Sequence, residues 1–216
     1  MLFGAAHRHK IETERLLIRA PHRRDHAEWT SLREGNRTHL ERWEPRWTEH
    51  EFSARSFRKR VKWYAEGARR DTSYSFLIFA RSDGRMLGGI TLDAVRRGTT
   101  QRAVLGYWLG EEHTGKGFMA EAVRALVAYG FRDLRLHRIE AASIPENVPS
   151  VRVLERTGFE REGYMRSYIR IHGRWEDHLL FAIINPDNAD ATSQDGADDA
   201  EEGAAKAPNK AKVRVA

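Results

Sequence analysis

Residues 106–122 read GYWLGEEHTGKGFMAEA, and the fold turns on how this stretch is read. Its opening residues complete the apolar run Ala103 to Leu109 (AVLGYWL), which has the composition of a buried strand. Its closing residues begin a helix. Met119, Ala122, Val123, Leu126 and Val127 fall at i, i+3, i+4, i+7 and i+8, a full apolar stripe, with Gly130 near the expected end. Between them, His113-Thr114-Gly115-Lys116-Gly117 joins strand to helix through two glycines. Glycine lets the backbone turn sharply and approach a ligand closely, and successive N–H groups beside a helix N-terminus form a cradle for an anion. Lys116 adds a point charge. Taken alone, a Gly-x-Gly turn is as readily plain loop punctuation. It is not a P-loop, which needs Gly-x4-Gly-Lys-[Ser/Thr], nor a Rossmann fingerprint, which needs a third glycine and a downstream acid.

Outward from this core, extended and helical signals alternate. Thr13 to Arg19 (TERLLIR) reads as a first strand, and residues 25–34, with Asp25 as candidate N-cap, as a helix. Glu51 to Ala68 reads as a second helix. Tyr74 to Ala80 (YSFLIFA) and Met86 to Leu92 read as a hairpin about the turn Ser82-Asp83-Gly84-Arg85. Past the central helix come a short strand, Arg138 to Ala142, and a short helix, Pro149 to Thr157, with Pro149 as first helical residue and Gly158 beyond its end. Tyr164 to Ile171 and Glu176 to Ile184, about His172-Gly173-Arg174, form a closing hairpin. The expected class is α+β, in a domain spanning residues 1–186.

Residues 187–216 hold almost no large apolar side chains and read as a disordered charged tail. From Pro186 onward seven acids face four bases, so the body is more basic than the formal +6 of the whole chain. A basic body suits a polyanionic coenzyme or a nucleic-acid-rich neighbour such as the ribosome; Arg on solvated faces is the plainer account. No run approaches the ~20 apolar residues of a membrane span, and the first ten residues carry no secretory apolar core. The expectation is a cytoplasmic protein with no membrane partner. There are no cysteines, which removes disulfides and a Cys nucleophile. Of the ten histidines only His22 and His26 fall at H-x3-H spacing, and no acid-rich cluster accompanies them, so no metal is expected.

Five segments in order carry a resemblance: TERLLIR, LERWEP (Leu40 to Pro45), GYWLGEEHTGKGFMAEA, NVPSVRVLERTGFEREGY (from Asn147), and HGRWEDH (His172 to His178). From Thr13 to Pro186 the chain resembles the GNAT acetyltransferases, and within them the Rim group of ribosomal-protein N-terminal acetyltransferases, nearest the RimJ branch. The resemblance implies a mixed, mostly antiparallel sheet of about seven strands, split between the fourth and fifth, with acetyl-CoA in the split. It implies that Tyr107, Trp108 and Leu109 pair with the pantetheine arm through main-chain groups. The amides of His113, Thr114, Gly115, Lys116 and Gly117 would hold the pyrophosphate, with Phe118 and Met119 opening the helix beneath. Asn147 would end the fifth strand and face the pantetheine. The superfamily signature has Gln or Arg three residues before the first glycine; this chain has Glu112. A backbone cradle tolerates that change.

The implied chemistry is direct attack of an uncharged amine on a thioester. An α-amino group, of ordinary pKa about 7.7–8.0, needs far less help than lysine, at about 10.4. Glu111 or Glu112 is available as base, with family register favouring Glu111. The Tyr that many members use as acid is replaced by Leu154, leaving Ser150, one turn earlier, as the substitute or as a helix cap. A strand amide near Leu109 would meet the developing oxyanion. Trp43 and Trp47, in a loop, are read as a wall of the acceptor pocket or as anchors of that loop, and His178 as facing the pocket. The acceptor is expected to be a protein or peptide amine, in particular a ribosomal protein. A small amine such as an antibiotic is the alternative within the chemistry, and a non-catalytic acyl-CoA-binding or ribosome-associated module the alternative outside it. No nucleic-acid motif appears. The resemblance allows a monomer or a homodimer.

Overall fold

All seven side chains of Tyr74–Ala80 are buried, which is the signature of a strand covered on both faces rather than one. The computed structural model describes residues 9–48 and 50–188, and it shows both covers. The strands are β1 (Lys10–Glu12), β2 (Leu16–Arg19), β3 (Tyr74–Ala80), β4 (Met86–Arg96), β5 (Arg102–Leu109), β6 (Arg138–Ser143), β7 (Glu160–Ile171) and β8 (Arg174–Ile184). They form one sheet in the order β1-β2-β3-β4-β5-β6-β8-β7. The helices are α1 (His26–Gly35), α2 (Arg37–Glu41), α3 (Ala54–Arg69), α4 (Phe118–Arg132) and α5 (Val148–Arg156). Phe76 and Ile78 pack into the cluster that α4 and α5 complete, through Met119, Val123, Leu126 and Leu154. Their neighbours Leu77 and Phe79 point the other way, to Trp29 and Leu32 of α1 and Phe57 of α3.

Eight strands stand where about seven are expected: β1 lies before the strand read from Thr13 and was not anticipated, and the strand read from Thr13 begins only at Leu16. Thr13 N–H closes on Leu16 O at 3.0 Å, so Thr13 to Arg15 form a turn and Ile11 pairs back onto Ile18. Other boundaries shift for local reasons. Ser53 caps α3, its Oγ accepting from Ser56 N–H at 3.2 Å, so that helix starts at Ala54 rather than Glu51. The α4 helix runs past Gly130 to Arg132. Gly130 lies inside it because a β-carbon there would stand 2.9 Å from Ile139 Cδ1 of β6. The α2 helix was not anticipated. Of the tail read as disordered, residues 189–216 lie outside the described residues, and Pro186–Asn188 form a 3-10 turn.

Asp25 precedes α1 but makes no side-chain cap. Its carboxylate, 5% exposed, instead accepts from both terminal nitrogens of Arg19 at 2.8 Å and from His22 N–H at 2.7 Å. Burial raises its pKa, but the hydrogen bonds from Arg19 and His22 outweigh that and hold it below the ordinary aspartate value. The pair ties the end of β2 to the start of α1. Asp25→Ala should therefore lower stability by about 2–4 kcal/mol near neutral pH, by leaving Arg19 half-buried and unpaired. Because the folded pKa is depressed, the deficit relative to wild type should be full above the ordinary aspartate range and shrink as pH falls through the lowered value. Urea melts of both proteins from pH 7 to pH 3 check it; a pH-independent gap would show that the charge pair is not the source.

Candidate active site

The site begins where pairing stops. β5 and β6 are the one parallel pair among the described strands, matched from Arg102–Arg138 to Leu105–Ala141. Beyond Leu105, β5 runs on to Leu109 still bound to β4, while β6 continues to Ser143 bound only to β8. A wedge opens between them, inside the sheet. Gly110 N–H donates to Leu87 O on β4 at 2.9 Å. Alternation along the strand then turns the main chain of Trp108 to β4 and those of Tyr107 and Leu109 to the wedge. Two of the three expected main-chain positions thus face the gap. Trp108 instead contributes its indole to the opposite face, where a β-carbon on Gly89 would meet Nε1 at 2.5 Å.

The turn after β5 delivers the cradle, shifted from the expected range. His113 N–H donates to Gly110 O and Thr114 N–H to Glu111 O, each at 3.0 Å, closing the 3-10 turn Glu111–His113. Those two amides are spent. The N–H groups of Gly115, Lys116 and Gly117 donate to no acceptor among the described residues. Gly115 and Gly117 take φ of +72° and +79°, the left-handed region that glycine enters without strain. Gly117 is the N-cap of α4 and offers no side chain to it, so the first-turn amides at Phe118 and Met119 are also free at the positive end of the helix dipole. Five consecutive N–H groups, Gly115 to Met119, make the concavity.

Sequence reading missed what braces this turn. Arg15, from the β1–β2 turn, donates from Nε to Glu121 Oε2 at 2.6 Å and from Nη1 to Lys116 O at 3.1 Å. Its own N–H reaches Glu121 Oε1 at 3.0 Å, and Thr13 Oγ1 donates to the same carboxylate. The signal was present, since TERLLIR carries both Thr13 and Arg15, but nothing in a strand-like string says that it meets a helix about 100 residues away.

On the wedge's other flank, Tyr107 Oη lies 2.9 Å from Ser150 Oγ and donates to Ser150 O at 3.2 Å. Burial pushes the Tyr107 phenol up to about 12, so it stays protonated. Ser150 is not the cap of α5. That role belongs to Asn147, whose Oδ1 accepts from Ser150 N–H at 3.3 Å. The family's fifth strand is β6 here, and it ends at Ser143; Asn147, expected at that strand's end, instead opens α5. Leu154 is 1% exposed and belongs to the core.

Glu111 lies elsewhere. Its N–H is held by Asn36 Oδ1 at 2.7 Å, and Asn36 is itself anchored to Leu32 O at 2.8 Å. The Glu111 side chain lines an open cleft of about 700 Å³ beside Glu28, Arg85 and Glu112. Four residues of largely extended chain, about 13 Å, separate its backbone from that of Tyr107, whose hydroxyl meets Ser150. His113 also lines this cleft; burial lowers its pKa, against the nearby Glu112, and keeps it neutral.

Trp47 is a packed residue of the α1 face. Nε1 donates to Glu44 Oε2 at 2.8 Å, and the buried Arg33 guanidinium sits over Trp47, Trp108 and Trp29 at 4.6, 4.8 and 5.4 Å from their centroids. Trp43 is half-buried under Arg42. His178 stands across the wedge, one residue beyond the last β6–β8 pair. It is 4% exposed, with Nδ1 3.0 Å from Glu176 O and its ring against Tyr168. The tryptophans and His178 thus flank opposite sides of the gap. Among the described residues, no group of three His, Asp or Glu side chains is placed to hold a metal, and no helix is long and apolar enough to cross a membrane.

Comparison with known proteins gives this splayed sheet, with its glycine turn and uncapped helix, a family. Residues 15–160 match the acetyltransferase (GNAT) domain, and the chain belongs to this family of N-acetyltransferases. It is 43% identical over 164 residues to the probable N-acetyltransferase YjcK of Bacillus subtilis, covering 76% of this chain and 91% of that one. It is 34% identical over 178 residues to the [ribosomal protein uS5]-alanine N-acetyltransferase of Escherichia coli, covering 82% and 92%. Among solved structures, RimJ of Mycobacterium smegmatis, in complex with CoA-disulfide, superimposes with a TM-score of 0.75 at 33% identity, covering 83% and 84%.

If the free amides from Gly115 to Met119 hold a pyrophosphate, Gly117→Trp should abolish acetyl-CoA binding. The side chain must enter the left-handed region, at about 1–2 kcal/mol, and would cover the helix end. Titration calorimetry checks this, with circular dichroism confirming the fold; unchanged affinity would contradict the placement.

Proposed function

We propose that this protein transfers an acetyl group from acetyl-CoA to the α-amino group of a protein N-terminus, with a ribosomal protein as the expected acceptor and the cytoplasm as the expected place. One observation carries the coenzyme half of this reading: the unpaired edge of β5 leads, through the turn from Gly110 to Thr114, to five free amides at the start of α4. Tyr107 and Leu109 would pair with an extended amide-bearing arm along that edge, and Gly115 to Met119 would bind its phosphates. The coenzyme supplies an activated acetyl thioester.

With phosphates at the end of β5, the acyl end lies back along the strand, toward Tyr107 and Ser150. Ser150 Oγ is the group that gives a proton to the departing sulfur. Tyr107 has one hydroxyl hydrogen and two acceptors on Ser150. When it donates to Oγ rather than to the carbonyl, the Ser150 hydrogen is free to turn toward the sulfur. The Leu109 N–H, directed into the wedge, suits the acetyl carbonyl oxygen. Glu111 takes the amine proton through water, since its carboxylate sits in the cleft by α1 and not beside Ser150.

The cleft suits an amine acceptor, and its openness favours a protein N-terminus. The cleft beside Glu111 is open, which a chain end needs, and Glu28, Glu111 and Glu112 against Arg85 give it a net acidic lining that suits an ammonium group. The likeness to the uS5-alanine enzyme points the same way. The acidic lining also suits a cationic small amine, and this is the second reading. Incubation with acetyl-CoA and a panel of N-terminal peptides, lysine-bearing peptides with blocked N-termini and small amines separates them. Release of free CoA with α-amino peptides alone is the expected result; release with small amines alone would replace the protein acceptor, and release with none would leave a binding module.

Two variants test the roles. Ser150→Ala should lower kcat by about ten- to a hundredfold without changing acetyl-CoA affinity. Glu111→Gln should do the same at pH 7, with the deficit narrowing above about pH 8.5, where an α-amine of ordinary pKa about 7.7–8.0 is already neutral. A deficit that does not change with pH would remove Glu111 as the base.

A further inference from the structure

The cradle has a charged neighbour from the far end of the chain. Arg15 is pinned from two sides, by Glu121 through Nε and by the Lys116 carbonyl through Nη1. It also lies over the Phe118 ring, 4.8 Å from its centroid. Nη2 is the nitrogen left over, and it sits 3.5 Å from where a β-carbon on Gly117 would be. Gly117 has no β-carbon to stand between that nitrogen and the helix end. The side chain is 44% exposed, so the guanidinium is held in place and still open to a ligand.

We propose that Arg15 is a direct ligand of the coenzyme pyrophosphate, its free guanidinium edge completing the amide cradle of Gly115 to Met119. This rests on the reading of that turn as the pyrophosphate site. The charge balance requires something of this kind. Glu121 lies in the first turn of α4, close to where a diphosphate would bind, and burial alone would raise its pKa. Hydrogen bonds from Thr13 and from Arg15, main chain and side chain, hold it below the ordinary value instead, so it is an anion near neutral pH. An uncompensated carboxylate there would repel the phosphates. Arg15 neutralises it and keeps spare N–H donors. Guanidinium suits the task because its planar fork can serve a carboxylate on one edge and a phosphate on another. Fixing it beforehand removes the entropy cost of ordering a long side chain on binding.

The rival account is that Arg15 only braces the turn. Three acetyl donors separate the two: acetyl-CoA, 3′-dephospho-acetyl-CoA and S-acetyl-pantetheine, with kcat/KM measured for wild type and Arg15→Gln. Arg15→Gln should lower kcat/KM by about tenfold or more for both nucleotide donors and leave it unchanged for acetyl-pantetheine, with kcat at saturating acetyl-CoA preserved. An equal loss on all three donors would overturn the proposal, and so would a loss on the two nucleotide donors accompanied by faster amide exchange at Lys116 to Met119 in the ligand-free Arg15→Gln protein, which would make Arg15 a brace. A loss confined to acetyl-CoA would move the contact to the 3′-phosphate and overturn it as well. If the cradle reading itself fails, wild type will use acetyl-pantetheine as well as acetyl-CoA, which is read separately. Should Arg15→Gln not fold, Arg15→Lys keeps the charge and loses the fork. Its expected loss is about threefold on the two nucleotide donors and none on acetyl-pantetheine.

Discussion

Everything in this molecule is arranged around a sheet that stops pairing with itself. After Leu105 and Ala141 the two central strands part, and the main-chain groups of Tyr107 and Leu109 have no strand to bind. Unpaired backbone inside a sheet is costly unless water or a ligand satisfies it. The surrounding structure keeps the wedge open. The β4 strand holds β5 on one side and β8 holds β6 on the other. Neither can swing inward to close the gap without breaking an antiparallel ladder.

The two covers of the sheet then divide the labour. On one face, α4 packs its apolar stripe so closely that Gly130 must lack a side chain against Ile139, and this fixes where its N-terminus emerges. The glycines at +72° and +79° turn five amides outward at that point. On the other face, α1 and the Trp47 loop meet at Arg33, α3 packs Phe57 on Trp29, and the Glu111 cleft opens beside α1. On the proposed function, donor and acceptor would approach the wedge from opposite faces, as a direct transfer between two bound partners requires.

Much of this was legible in the sequence. The periodic stripe of α4, the all-apolar β3 and the glycine turn are local patterns, and each became the element it suggested. Family likeness added the split. What the sequence hid is long-range or depends on hydrogen-bond parity. Arg15 reads as part of a strand, and its meeting with Glu121 follows only from the turn at Thr13 and the docking of α4. That Trp108 faces β4 while Tyr107 and Leu109 face the wedge depends on register. His113 and Thr114 belong by their string to the cradle, yet their amides close a 3-10 turn. Asp25 looked like a cap and is a buried partner of Arg19, because a carboxylate beside a guanidinium gains more than one hydrogen bond at a helix start. Glu111, read as the base, follows the end of β5 and lines the cleft by α1, while Ser150, read as the acid, rides on α5 against Tyr107.

The central claim is that the open edge of β5 and the start of α4 form one continuous binding surface for acetyl-CoA. Residue-resolved amide hydrogen exchange, with and without saturating acetyl-CoA, tests it most directly. The account predicts slowed exchange at Tyr107 and Leu109 and at Gly115 through Met119 together, with β3 and α3 unchanged. Exchange that is unaltered at these amides, while the coenzyme is bound, would contradict it.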